Sequence, residues 1–249
     1  MTEINAAATR SLATNERIIV ALDVETAADA RRILSELRDR VGAFKIGLQL
    51  FTAAGPEFVQ EVTRSGVKVF LDLKFHDIPN TVAKAGVEAA KLGVWMFNVH
   101  AIGGSEMMKR TANEVAEYCN KTGEIKPLVI GVTVLTSSNI DTLKETGFEG
   151  EIEQQGANLA RLAHLSGLDG VVASPREVTA IRESVEDKSF ITVTPGIRPI
   201  AATTDDQKRV TTLREAIANG SDYVVIGRPI TQAENRIDAL EAMLAEAEN

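Results

Sequence analysis

Eight short apolar runs, each separated from the next by a helix-like stretch, constrain this chain more than any other feature. The runs fall at residues 17–23, 43–47, 67–74, 95–100, 128–135, 170–174, 190–194 and 223–227. Each is brief, rich in β-branched or aromatic residues and bounded by polar or turn-forming residues, the pattern of a strand. Between them lie segments that read as helices, at 26–40, 56–65, 80–92, 103–121, 151–166, from Pro175, 212–219 and 232–247. Strands alternating with helices imply parallel pairing through helical crossovers. Eight such units predict an α/β fold of the closed (β/α)8 TIM-barrel type, and the 249 residues match the roughly 250 usual for it. No linker or shift in composition divides the chain. The reading is therefore one catalytic domain over residues 17–249, preceded by a flexible tail at 1–16. Such barrels carry their chemistry at the C-terminal ends of the strands and in the loops that follow.

The third strand carries charge at that end. Side chains alternate with period two, so Phe70, Asp72 and Lys74 share one face while Val69, Leu71 and Leu73 take the other. Pro79 bars a continued ladder and suits the first turn of a helix. A carboxylate and an ammonium two residues apart, with Asp77 three residues on, are costly to bury unless paired. Two readings stay open on this stretch alone: a buried ion pair with Asp77 as a helix N-cap, or a working site. Asp23 and Lys45 end or nearly end the first two strands. Taken singly, Asp23 caps a helix and Lys45 snorkels from a strand end. Taken together with Asp72 and Lys74 they put two carboxylates and two ammoniums on adjacent strands, able to alternate in sign and to keep Asp72 ionised.

Two further strand ends look made for an anion. Pro195-Gly196-Ile197-Arg198-Pro199 follows strand seven and Gly227-Arg228-Pro229 follows strand eight, the loops that often hold phosphate in this fold. Gly227 permits close backbone approach, and Arg198 and Arg228 are bidentate donors. The bland reading is two arginines on surface loops. Residues 196–209 are long for a βα loop and suggest a lid, from which Gln207 would reach a ligand. His100 ends strand four and would face the site; His76 and His164 look structural.

The net charge of −8 argues against nonspecific partners such as nucleic acid or an anionic membrane. The lone Cys119 rules out an internal disulfide and any multi-cysteine metal site, and reads as a bland helix thiol. No apolar run approaches membrane-spanning length, residues 1–15 lack the apolar core of a secretory signal, and the expected location is cytoplasmic. There is no Gly-rich dinucleotide fingerprint and no His-rich metal site.

The set Asp72-x-Lys74-x-x-Asp77-Ile78-Pro79-Asn80-Thr81, with Asp23, Phe44-Lys45-Ile46-Gly47, Pro195-Gly196-Ile197-Arg198 and Val225-Ile226-Gly227-Arg228-Pro229, resembles the orotidine 5′-phosphate decarboxylase family. The likeness runs from about Arg17 to the closing helix. It implies a cofactor-free, metal-free conversion of orotidine 5′-monophosphate (OMP) to UMP and CO2, the last step of de novo pyrimidine nucleotide synthesis. By position it implies Lys74 as proton donor to C6 and Asp72 against the substrate carboxylate. Asp23 and Lys45 become ribose contacts, Lys45 also belonging to the charge network, and Thr136 a contact to the pyrimidine edge. Arg198, Gln207, Gly227 and Arg228 become the phosphate grip. It further implies a homodimer with shared sites, in which Asp77, Ile78 and Thr81 reach the partner's site.

One competing function is a Mg2+-dependent sugar-phosphate decarboxylase or synthase of the same barrel type. It shares the Asp-x-Lys-x-x-Asp pattern but carries a metal-holding acid where this chain has Lys45. A noncatalytic phosphate-ligand binder needs neither Asp72 nor Lys74. A Schiff-base lyase would use Lys74 or Lys45 as a borohydride-trappable amine.

Overall fold

In the computed structural model, which describes residues 12–199 and 211–248, eight parallel strands close into a barrel in chain order. In sequence they are β1 (Ile18–Ala21), β2 (Ala43–Gly47), β3 (Val69–Phe75), β4 (Met96–His100), β5 (Leu128–Val132), β6 (Gly170–Val172), β7 (Ile191–Thr194) and β8 (Tyr223–Ile226), the last pairing back with β1. The helices between and after them are α1 (Ala27–Leu37), α2 (Leu48–Arg64), α3 (Pro79–Lys91), α4 (Gly104–Thr122), α5 (Ile140–Glu145), α6 (Ile152–Leu165), α7 (Val178–Ser184), α8 (Leu213–Ala218), α9 (Arg228–Thr231) and α10 (Arg236–Glu248).

Local chemistry sets several boundaries. The Thr26 hydroxyl accepts the Asp29 N–H and starts α1, as a Thr N-cap should. Thr212 and Glu215 form a reciprocal capping box on α8. The second helix begins eight residues before Pro56, because Gly55 takes a φ of 73° and joins two helical pieces across a kink. Residues 136–150, between the expected fifth strand and the helix at 151–166, contain α5, whose start is capped by Asn139 accepting the Thr142 N–H at 2.9 Å. Pro175 lies in a turn, and α7 opens only at Val178. The closing helix, expected from Gln232, opens at Arg236 as α10, and the short α9 precedes the expected range.

The apolar residues sort into two layers by strand parity. Ile18, Val20 and Leu22 face outward with Phe44, Leu71 and Phe97 into the layer shared with the helices. Ile19, Ala21, Ala43, Phe70, Met96, Ile130, Ile191, Val193, Tyr223 and Val225 fill the barrel interior. Arg182 pairs with the buried Asp222 just before β8, at the end of the barrel that serves stability. Of the expected tail, residues 1–11 lie outside the described residues. From Thr14 to Arg17 the chain forms a 3-10 turn, held where Asn15 Nδ2 donates to the Arg40 carbonyl at 3.1 Å. Cys119 is buried in α4.

Candidate active site

The inward row of each strand changes character as it climbs. Ile19 and Ala21 lead to Asp23, Ala43 leads to Lys45, Phe70 leads to Asp72 and Lys74, and Met96 leads to Asn98. The strand register does the rest. Ala21 lies opposite Lys45, Lys45 opposite Phe70 and Gly47 opposite Asp72, so the polar ends of three neighbouring strands meet at the top of the interior.

They meet as an alternating chain of charge. Lys45 Nζ lies 2.9 Å from Asp23 Oδ1 and 3.2 Å from Asp72 Oδ2, while Lys74 Nζ lies 2.6 Å from Asp72 Oδ1. The middle pair is sealed, with Lys45 and Asp72 each 9% exposed, and the outer pair is more open. Burial alone would raise the Asp72 carboxyl, but the charges of Lys45 and Lys74 and hydrogen bonds from Lys74 and Asn98 outweigh it and hold it below the usual range. Burial likewise works against the Lys45 ammonium, yet Asp72 and Asp23 hold it above its ordinary value. Asp72 is thus a carboxylate and Lys45 an ammonium at neutral pH. Gly47 leaves room for this: a Cβ there would stand 3.0 Å from Lys45 Nζ.

Lys74 itself sits on unusual backbone. Its φ is 52°, the one positive value among described non-glycine residues. The β3–β4 register shifts between Leu71 and Phe75, a bulge of the kind that re-aims side chains beside active sites. Asn98 fills the gap: its Oδ1 accepts the Lys74 backbone N–H and its Nδ2 donates to Asp72 Oδ1, both at 2.7 Å. Sequence reasoning passed over Asn98 inside an apolar strand, although its parity with Met96 marks it as inward.

These groups open into a cavity of 510 Å³. Asp23, Lys45, Asp72 and Lys74 line it together with Gly196, Arg198, Gly227 and Arg228. Val132, Val134, Leu135, Val172, Ala173 and Val225 add apolar surface, with Thr136 and Gln232 among them. Gln232 was not anticipated. The lining offers a charged cluster, two arginines and apolar surface to one ligand, which suits an anionic molecule with an apolar part. Ile197 and Thr211 form a β-bridge, so the segment leaving β7 is pinned at its base. Gln207 and residues 200–209 of the expected lid lie outside the described residues.

Asp77, Ile78 and Thr81 do not line this cavity and are exposed at the rim. Asp77 is not the cap of α3: the N-cap position is Ile78, without a side-chain cap bond, and Pro79 follows. Asp77 Oδ1 instead accepts the N–H of its neighbour Ile78 at 2.6 Å. His100 also stays outside the lining, its ring centroid 5.7 Å from that of His76. Burial first, then the charges of His76 and Lys74, lowers its affinity for a proton. His164 pairs with Asp187 at 3.1 Å and stacks edge-on against Phe190, a structural role. Among the described residues no group of three or more His, Cys, Asp or Glu is placed to hold a metal ion, and no helix is long and apolar enough to cross a membrane.

Residues 16–243 match the sequence profile of the orotidine 5′-phosphate decarboxylase / HUMPS family. An orotidine 5′-phosphate decarboxylase of Syntrophotalea carbinolica is 52% identical over 93% of this chain and 94% of its own. One from Geobacter sulfurreducens is 52% identical over 93% and 95%. The crystal structure of orotidine 5′-phosphate decarboxylase from Lactobacillus acidophilus superposes with a TM-score of 0.81 at 38% identity, covering 93% of this chain and 99% of that one.

Proposed function

Because the chain belongs to the orotidine 5′-phosphate decarboxylase / HUMPS family, we propose that the four-charge chain Asp23–Lys45–Asp72–Lys74 is the reacting centre for its reaction, the decarboxylation of OMP to UMP and CO2 in pyrimidine biosynthesis. The observation that carries this assignment is the Lys74 ammonium, fixed 2.6 Å from the buried Asp72 carboxylate in a cavity that also holds Arg198 and Arg228.

Loss of CO2 from C6 leaves an electron pair on a vinylic carbon with little delocalisation. Lys74, as an ammonium, stabilises that charge and then donates its proton to C6. Asp72, as a carboxylate, stands against the substrate carboxylate and disfavours it more than the transition state, where charge has moved onto carbon. Asp23 and Lys45 take the ribose hydroxyls, Thr136 the pyrimidine edge, and Arg198, Gly227 and Arg228 the phosphate. Phosphate binding far from C6 supplies energy to the reacting centre. Asp77, Ile78 and Thr81, exposed at the rim and outside the lining of their own cavity, complete the site of a second copy in a homodimer. The setting is the cytoplasm.

The Mg2+-dependent synthase reading is not favoured. The relatives named above are decarboxylases, and the Lys45 ammonium occupies the space between the Asp23 and Asp72 carboxylates that a cation would need.

The test is the absorbance change of OMP on incubation with the purified protein in the presence of a chelator. Turnover that persists is the expected result. Turnover that needs added Mg2+, or none at all, overturns the assignment.

A further inference from the structure

We infer that Asn98 is a positioning residue, one that fixes the Lys74 ammonium and the Asp72 carboxylate relative to one another without touching substrate. The inference rests on the roles given to Lys74 and Asp72 above. Asn98 is fully buried on the inward row of β4 and does not line the cavity.

The need for it arises in the β3–β4 pairing. Leu71 pairs with Phe97, but Phe75 pairs with Val99, so four steps along β3 match two along β4. The extra residues bulge, and Lys74 turns left-handed at φ 52°. That turn takes its N–H out of the ladder, and a buried N–H without an acceptor is strongly disfavoured. Asn98 Oδ1 supplies the acceptor at 2.7 Å. Its Nδ2 then points at Asp72 Oδ1, also at 2.7 Å, the oxygen that Lys74 Nζ meets at 2.6 Å. The orientation of the amide follows from chemistry: a backbone N–H only donates and a carboxylate only accepts. One side chain therefore ties the backbone of the proton donor to the side chain of its carboxylate neighbour. No apolar residue does either job. Ionised aspartate keeps the acceptor for Lys74 but, in place of a donor, sets a second carboxylate against Asp72.

Two readouts on the full-length protein test this. The first is hydrogen exchange at the Lys74 backbone amide by NMR, which needs no turnover. The second is kcat on OMP set against affinity for UMP. In Asn98→Ala, exchange at Lys74 should rise by about tenfold or more while Val69 and Leu71 keep their protection. Its kcat should fall about 100-fold, the scale of an ångström-level misplacement, with UMP affinity within about threefold. A kcat loss that exceeds the change in UMP affinity by less than tenfold overturns the inference, as does unchanged exchange at Lys74. Asn98→Asp separates the two bonds and stands in if the alanine variant does not fold. It should keep Lys74 protected yet lose kcat at least tenfold more than UMP affinity; the reverse pattern overturns the inference. If the wild-type protein does not turn over OMP, the functional reading fails while the exchange measurement still decides the role of Asn98.

Discussion

Lys74 Nζ meets Asp72 Oδ1 at 2.6 Å from only two residues further along β3, on backbone that has turned left-handed. For a residue with a Cβ that conformation costs about 1–2 kcal/mol. It persists where the surroundings over-determine it, and such sites concentrate where chemistry is done.

Replacing Lys74 should separate strain from chemistry. Both Lys74→Ala and Lys74→Gly should abolish turnover with the barrel intact, since the only candidate proton donor on the inward face of β3 is gone. The glycine variant should be the more stable by about 1 kcal/mol, because it adopts positive φ without a Cβ clash. In a chain of this size that is roughly 2–4 °C in Tm. Circular dichroism melts and the OMP assay check both halves; equal melts would remove the strain, and turnover within tenfold of wild type would remove Lys74 from the mechanism.

Arg228→Ala should act chiefly on binding. Losing a charged donor to phosphate costs about 1.5–3 kcal/mol, so KM and the UMP inhibition constant should rise roughly ten- to hundredfold. Part of that energy acts at the reacting centre, so kcat should fall too. Steady-state kinetics with UMP as inhibitor give the answer, and unchanged values for both constants would contradict the phosphate assignment.

Asp72→Asn should show a pH-dependent stability deficit. Asp72 is held below the ordinary carboxyl value. Its contribution is therefore full above the unfolded-state pKa of about 3.9 and is lost as pH falls through the lower folded value. Lys45 is held above its ordinary value, so its contribution is full below about pH 10.4 and is lost only as pH rises past the folded value. Taking the carboxylate from between Lys45 and Lys74 should cost about 3 kcal/mol. The Tm gap between wild type and variant should stay level from about pH 6 to 9 and shrink below about pH 4. A gap already closing at about pH 6 would mean that Asp72 is not held ionised as described.

Mixed subunits test the shared site. Lys74→Ala and Asp77→Ala chains, each nearly inactive alone, should regain activity together. Random exchange makes about half the dimers mixed, each with one site carrying an intact Lys74 and a partner's intact Asp77. Roughly a quarter of wild-type activity should return under two-fold symmetry. Verified exchange with no recovery would return Asp77 to a local role.

The eight strands, most of their helices and the inward facing of Asp72 and Lys74 were legible in the chain, because period two, period 3.6 and helix-capping chemistry are local properties of neighbouring residues. The cluster was legible in kind: Asp23, Lys45, Asp72 and Lys74 fall at successive strand ends whatever the details of closure. What the tertiary structure decided is which atoms meet. The register of β2 on β3 puts Lys45 rather than Gly47 beside Phe70 and so within reach of Asp72. The bulge against β4 turns the Lys74 backbone, and Asn98, which reads as one more position in an apolar strand, becomes the bond between the two central groups. Register and bulge depend on how strands far apart in sequence pack as the barrel closes, and a local pattern of residues carries no record of that packing.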